Sequence, residues 1–133
     1  MQLPPAVEER IRTESILWMT TVNRSGQPQP SPIWFWWDGE EILMFSKDNT
    51  ARLTSIATNP KVSLNLDGDG RGGAIVVIEG VARIDRSLPP ARSMPEYVAK
   101  YQSYLDSYGW TAEGFSVDYP VPIMITPTGL RSW

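Results

Sequence analysis

Residues 28, 30 and 32 are all proline, in the run PQPSPIWFWWDGEEI (28–42), and this alternation limits the possible folds more than any other feature of the chain. Proline has no backbone N–H, so a strand carrying it at every second position has carbonyls but no donors along one side. Gln29, Ser31 and Ile33 keep their N–H groups for the other side. The segment is therefore expected at the edge of a sheet, protected from pairing with another chain. The donor-free shelf also gives a flat ligand somewhere to lie beside the aromatic run. Edge protection alone accounts for the pattern as well. Ile33 to Trp37 then continue with an apolar residue at every position, which predicts a strand buried on both faces. By parity Ile33, Phe35 and Trp37 point one way and Trp34 and Trp36 the other. One set can fill a core. The other needs a second partner, because adjacent exposed tryptophans would form a costly apolar patch.

What chemistry such a core can support is narrowed by two absences: among 133 residues there is no cysteine and no histidine. Zinc sites built on Cys or His, cysteine nucleophiles, His-based triads and haem held by a proximal histidine are thereby excluded. No metal centre is expected. Missing too is the only side chain that titrates near neutrality unperturbed, so an enzyme built from this chain would take its chemistry from a bound cofactor. The formal net charge of −3 speaks against general nucleic-acid binding. No run approaches the roughly 18 apolar residues of a membrane span, and MQLPPAVEER has no signal-peptide pattern, so a cytoplasmic location is expected.

The remaining segments read mostly as strands with short helices between them. PPAVEERIR places Val7 and Ile11 at helical spacing behind two prolines. SILWMTTV (15–22) is β-branched and aromatic, RSGQ is a turn, and Asp38-Gly39 marks a hairpin returning through EEILMFS. NTARLTSIATNP predicts a helix capped by Asn49 or Thr50, with Leu53, Ile56 and Ala57 facing inward and Pro60 as its stop. KVSLNL alternates, DGDGRGG (67–73) is a loop, and AIVVIEGVARID is a long strand in which Gly80 marks a bulge or bend. Ser93 and Glu96 have capping-box spacing before a helix whose stripe is Tyr97, Tyr101, Leu105 and Tyr108, read as core packing. VPIMITPTGLRSW supplies the last strand. The order predicts one domain over 1–133, mainly β: a closed or nearly closed antiparallel barrel of six or so strands with peripheral helices.

Two further places have the character of a site. In SKDNTAR (46–52) a strand ends at Ser46 and a helix begins near Thr50. Helix N-termini offer unpaired N–H groups and a positive dipole end to phosphate. The Ser46 and Thr50 hydroxyls, the Ala51 and Arg52 amides and the Lys47 and Arg52 charges can converge on one anion. The bland alternative is a capped surface helix, and Asp48 opposes an anion unless it points away. The other place is Trp133, where chain ends usually fray, so a tryptophan suggests docking into the core or across a subunit boundary. The 67–73 loop lacks the Lys-Ser/Thr of a P-loop and the context of a Rossmann turn, with Arg71 a possible contact.

These residues carry a resemblance. WMTTVNRSGQPQPSPIWFWWDGEEILMFSKDNTARLTSIATNPKVSLNLDGD, followed by a glycine loop and VVIEGVARI, resembles the split β-barrel flavin and deazaflavin proteins of the pyridoxamine-phosphate-oxidase-like superfamily. The closer likeness is to its F420-dependent branch, common in actinobacteria. The most specific pieces are G-x-P-x-x-S-P-I-W-F and S-x-x-N-T-x-R-L-x-x-I-x-x-N-P. The resemblance implies a homodimer whose cofactor lies in a groove at the subunit boundary, against the strand at 29–36. Ser31, Pro32, Ile33 and Trp34 would hold the ring, while Ser46, Lys47, Asn49, Thr50, Ala51 and the basic Arg52 would cradle the phosphate. Trp133 would stand near the partner's cofactor. The implied function is hydride transfer from reduced F420 to a conjugated or electron-poor small organic acceptor. The alternatives are an FMN-binding split-barrel oxidoreductase and a non-catalytic F420 carrier or sensor. Vitamin B6 oxidation and haem degradation, which in this superfamily use histidine, are not expected of this chain.

Overall fold

A computed structural model describes residues 1–133. In chain order the elements are α1 (Pro5–Thr13), β1 (Leu17–Val22), β2 (Pro28–Ile33), β3 (Trp36–Trp37), β4 (Ile42–Ser46), α2 (Ala51–Thr58), β5 (Lys61–Leu66) and β6 (Val76–Ile84). A short 3-10 turn (Ala91–Ser93), α3 (Pro95–Tyr108), α4 (Ala112–Asp118) and β7 (Val121–Ser132) complete the chain. The strands form one antiparallel sheet of seven, in the order β2-β1-β5-β6-β7-β4-β3. Its two edge strands are consecutive in the chain, separated only by Trp34 and Phe35, so the sheet must curl until its ends meet at that corner. This is a half-barrel, mainly β with four short helices, and β3 is the strand beyond the six or so expected.

β2 pairs only with β1, its prolines facing Val22, Thr20 and Trp18. The edge predicted from the alternating prolines is therefore real. The predicted strand over 33–37 is not continuous, since residues 34 and 35 turn the corner between β2 and β3. Its parity still holds. Ile33, Phe35 and Trp37 are buried in the barrel core with Leu17, Met19, Leu64, Ile78 and Ile123. Trp34 and Trp36 pack on a second cluster built by Tyr97, Tyr101 and Leu105 of α3 and Phe115 of α4. The partner that Trp34 and Trp36 require thus comes from the same chain. β4 and β7 lie between the two clusters, with Ile42 and Met44 in one and Leu43 and Phe45 in the other, which explains their unbroken apolar runs.

Several local expectations are corrected. α3 has Met94 as N-cap with no side-chain cap bond, because Ser93 is taken into the 3-10 turn and Pro95, with its preset φ, occupies the first helical position. The capping box at Ser93 and Glu96 does not form. In α2, Ser55 rather than Ala57 joins Leu53 and Ile56 on the buried face. The 67–73 loop is organised by Asp69, whose carboxylate accepts from the Arg71 and Gly73 N–H groups. Helix α4 has no counterpart in the sequence reading.

At Gly80 the β6–β7 register shifts: Glu79 faces Gly129 while Gly80 faces Pro127, so the extra residue is Thr128 on the partner strand. A Cβ at Gly80 would lie 2.8 Å from Ile125 Cγ2 and 3.1 Å from the Thr126 carbonyl oxygen. Gly80→Val is expected to destabilise the fold by about 1–3 kcal/mol, the usual cost of overpacking. Urea midpoints with unchanged slope would read this. An unchanged midpoint would mean that the backbones at this crossing can part freely.

Candidate functional site

β4 ends at Ser46, fully buried, and the chain turns through Asn49, whose φ of +56° is left-handed, into α2. Asp48 does not line the cleft that follows and lies in a surface depression beside the start of α2. Its carboxylate accepts from the Asn49 N–H and pairs with Arg86 at 3.2 Å, both of which hold its pKa below the usual range. The N-cap, Thr50, makes no side-chain cap bond, and with the Leu53 N–H bonded to the Thr50 carbonyl, the Ala51 and Arg52 amides are left for another partner. Arg52, in the first turn, reaches back to β2 and donates to Ser31 Oγ at 2.6 Å. It makes no ion pair, and burial pushes its pKa down. A guanidinium remains charged in any protein, so this is a half-buried positive charge lacking a counter-charge.

Arg52 opens into a cleft of about 430 Å³, lined also by Pro32, Ile33, Trp34, Met44, Phe45, Ser46, Lys47 and Thr50. The far wall comes from the α3–α4 region: Tyr108, Trp110, Phe115 and Tyr119. No acidic side chain lines it, whereas two cations do. Lys47 Nζ stands 5.5 Å from the centre of the Tyr119 ring and has no carboxylate partner. One end of the cleft is thus suited to an anion and the rest to a flat apolar body.

The aromatic wall is fixed at the 34–35 corner. Trp34 stacks on Tyr101 (centroids 4.7 Å apart, planes at 6°) and on Phe115 (5.4 Å, 14°). The Tyr101 hydroxyl accepts from the Phe35 N–H at 2.8 Å and donates toward the Ser15 carbonyl at 2.8 Å. Lys100 donates to the Phe35 carbonyl at 3.1 Å, its ammonium 3.7 Å from the centre of the Phe35 ring. Burial brings the Lys100 pKa down to about 8. In the unfolded chain a lysine keeps its proton to about 10.4, so between these values the unfolded state binds more protons and stability rises with pH. Relative to Lys100→Met, the wild type should gain stability from pH 8 to 10 in urea titrations. A difference that is flat or falls over that range would contradict the assignment.

Of the residues named from sequence, Pro32, Ile33, Trp34, Ser46, Lys47, Thr50 and Arg52 line this one cleft, and Ser31 stands behind Arg52 as its hydrogen-bond partner. Asn49 and Ala51 do not line it. Their exposed side chains face separate surface depressions beside the start of α2, which follows the left-handed turn at Asn49. Trp133 is 67% exposed, tied by its backbone to Ile75, and also lies outside the cleft. β7 starts beside Ser46 and runs to Ser132, so Trp133 lies roughly 35–40 Å further along the strand at ~3.3 Å per residue. Sequence reasoning missed Tyr108, Trp110, Phe115 and Tyr119. Tyr108 was expected in the core, but the helix ends at Gly109, leaving it 62% exposed. The aromatic spacing Y-G-W…F…Y (108–119) was the available signal.

No helix of the chain is long and apolar enough to cross a membrane. Among solved structures, an F420 reductase is similar over 97% of this chain and 98% of its own, at 22% identity and a TM-score of 0.70. The conserved hypothetical protein Rv2991 from Mycobacterium tuberculosis matches all of this chain and 85% of its own, at 22% identity and a TM-score of 0.76. HutZ, a heme storage protein from Vibrio cholerae, matches 99% of this chain and 95% of its own, at 19% identity and a TM-score of 0.65. At these identities the likeness is one of fold. The family model for pyridoxamine 5'-phosphate oxidase matches residues 3–117. With that match covering most of its length, on a seven-stranded half-barrel with a cationic, aromatic-walled cleft, the chain belongs to the pyridoxamine 5'-phosphate oxidase family.

Proposed function

We infer that the chain is an F420-dependent oxidoreductase that passes hydride from the reduced deazaflavin to a conjugated or electron-poor small organic acceptor. The observation that carries this reading is Arg52: a half-buried cation without a carboxylate, beside an uncapped helix start, at the end of a cleft containing no acidic side chain. Burying such a charge is costly unless a ligand supplies the counter-charge, which fits a phosphate-bearing flavin-type cofactor. Arg52, Lys47 and the backbone at Thr50 and Ala51 would hold the phosphate, with the Ser46 and Thr50 hydroxyls beside it. Asn49 would contribute by setting the turn. Pro32, Ile33 and Trp34 would support the ring, with Ser31 keeping Arg52 aimed.

Such a group, when bound, supplies hydride transfer, chemistry that no side chain of this chain offers. The protein's share is to bind, orient and exclude water, and the wall of Trp34, Phe115 and Tyr119 suits each task. Trp133, exposed at the end of β7, is proposed to reach the cleft of a second copy in a homodimer, each chain acting as a single domain over 1–133. A second reading has FMN in the same cleft. It is favoured by the cation count, since Lys47 and Arg52 suffice for one phosphate while an oligoglutamate tail calls for more and the nearby Arg86 is engaged with Asp48. Consumption of F420H2 under anaerobic conditions with a panel of enones and quinones tests the enzyme reading. Turnover dependent on both protein and acceptor supports it. Tight F420 binding with no turnover on any acceptor would make the chain a carrier or sensor.

A further inference from the structure

From the cationic end of the cleft an unbroken line of ring contacts runs outward. Tyr119, beside Lys47, stacks on Phe115 at 4.7 Å, and Phe115 on Trp34 at 5.4 Å. Trp34 meets Trp110 at 6.2 Å, and Trp110 stacks on Tyr108 at 4.7 Å. The first rings are buried or half-buried, whereas Tyr108 and Trp110 are 62% and 43% exposed. The wall therefore has a charged end at Lys47 and Arg52 and an open, uncharged end at Tyr108 and Trp110. The outer pair is placed by backbone. Gly109 takes the left-handed conformation that closes α3 (φ +70°), its N–H donates to the Asp106 carbonyl, and the Trp110 N–H donates to the Leu105 carbonyl at 2.8 Å. Two large stacked rings held open to solvent at the mouth of a cleft are an unfilled contact surface.

Building on the proposed function, in which Lys47 and Arg52 hold the cofactor's phosphate, we propose that Tyr108 and Trp110 form the acceptor-facing wall and select a flat, conjugated, uncharged ring system. The charged end is committed to an anion, so the acceptor enters at the Tyr108–Trp110 end, since Lys47 and Arg52 are the only charged side chains lining the cleft. Flatness follows from the surface itself, because stacking rewards a planar π-system and leaves a puckered molecule of equal size with only partial contact.

The test is equilibrium dialysis of the cofactor-loaded protein against two bicyclic ketones of similar size, flat menadione and puckered 1-decalone. The wild type should bind menadione at least tenfold more tightly. Trp110→Ala and Tyr108→Ala should each cut that preference at least threefold, Trp110→Phe should restore most of it, and cofactor affinity should stay within about twofold throughout. Absence of a wild-type preference, or a preference surviving both alanine variants, would overturn the proposal. Should the chain bind neither F420 nor FMN, the functional reading fails on that titration alone. The menadione/decalone ratio, measured on the ligand-free chain, then decides the role of the pair by the same criteria.

Discussion

Arg52→Ala is expected to weaken binding of the proposed phosphate-bearing cofactor by about 1.5–3 kcal/mol, the range for a charge-assisted hydrogen bond, or roughly tenfold to 150-fold in Kd. The size follows from the surroundings of Arg52. It is half-buried, makes no ion pair and has Ser31 Oγ as its hydrogen-bond partner, so solvent and neighbouring acids screen it little. The same facts predict an opposite effect on the ligand-free fold. Removing an uncompensated buried charge relieves a desolvation cost, so Arg52→Met, which keeps most of the volume, should leave the urea midpoint unchanged or raised. Lost affinity with retained stability marks a residue kept for binding. Equal loss of both would make Arg52 a structural link between α2 and β2, and unchanged affinity would move the phosphate elsewhere.

Tyr101 gives the largest expected loss of stability. Its hydroxyl satisfies the buried Phe35 N–H and binds the Ser15 carbonyl, and its ring carries Trp34. Burial pushes the Tyr101 phenol well above its ordinary pKa, so it remains a donor throughout the working range. Tyr101→Phe keeps the ring but leaves the Phe35 donor unpaired, an expected cost of about 1–3 kcal/mol. Tyr101→Ala also empties the core position, and its expected cost rises to about 3–5 kcal/mol, comparable with the whole stability of a marginal domain. Because the residue sits beneath Trp34, the phenylalanine variant should retain cofactor binding once folded. If Tyr101→Phe matches wild type in its urea midpoint, the corner is held by packing alone.

How much of this was legible in sequence depended on whether the governing contact is local. The edge strand was readable because proline's missing donor is a property of the residue itself. The parity of Ile33 to Trp37 was readable because pleat geometry fixes it, although the break at residues 34 and 35 was not: the Phe35 backbone there pairs with Tyr101, 66 residues away, and not with a neighbouring strand. That Arg52, Lys47 and Ser46 line one cleft was readable because strand end and helix start adjoin in the chain. The opposite wall was missed for the converse reason, since Tyr108 and Tyr119 reach the cleft only after α3 and α4 fold back onto β4 and the 34–35 corner. Ser93 shows the limit of a motif. Its capping-box spacing was correct, but Pro95 and the preceding turn offered the backbone a different start.

We propose that the cleft at Arg52 holds a phosphate-bearing deazaflavin. The most direct test is a side-by-side titration of the ligand-free protein with F420 and FMN, followed by fluorescence at low salt. Tight, saturable F420 binding and much weaker FMN binding are expected. Tight FMN with weak F420 would overturn the deazaflavin assignment and leave an FMN-binding half-barrel, and binding of neither would contradict the account of the cleft altogether.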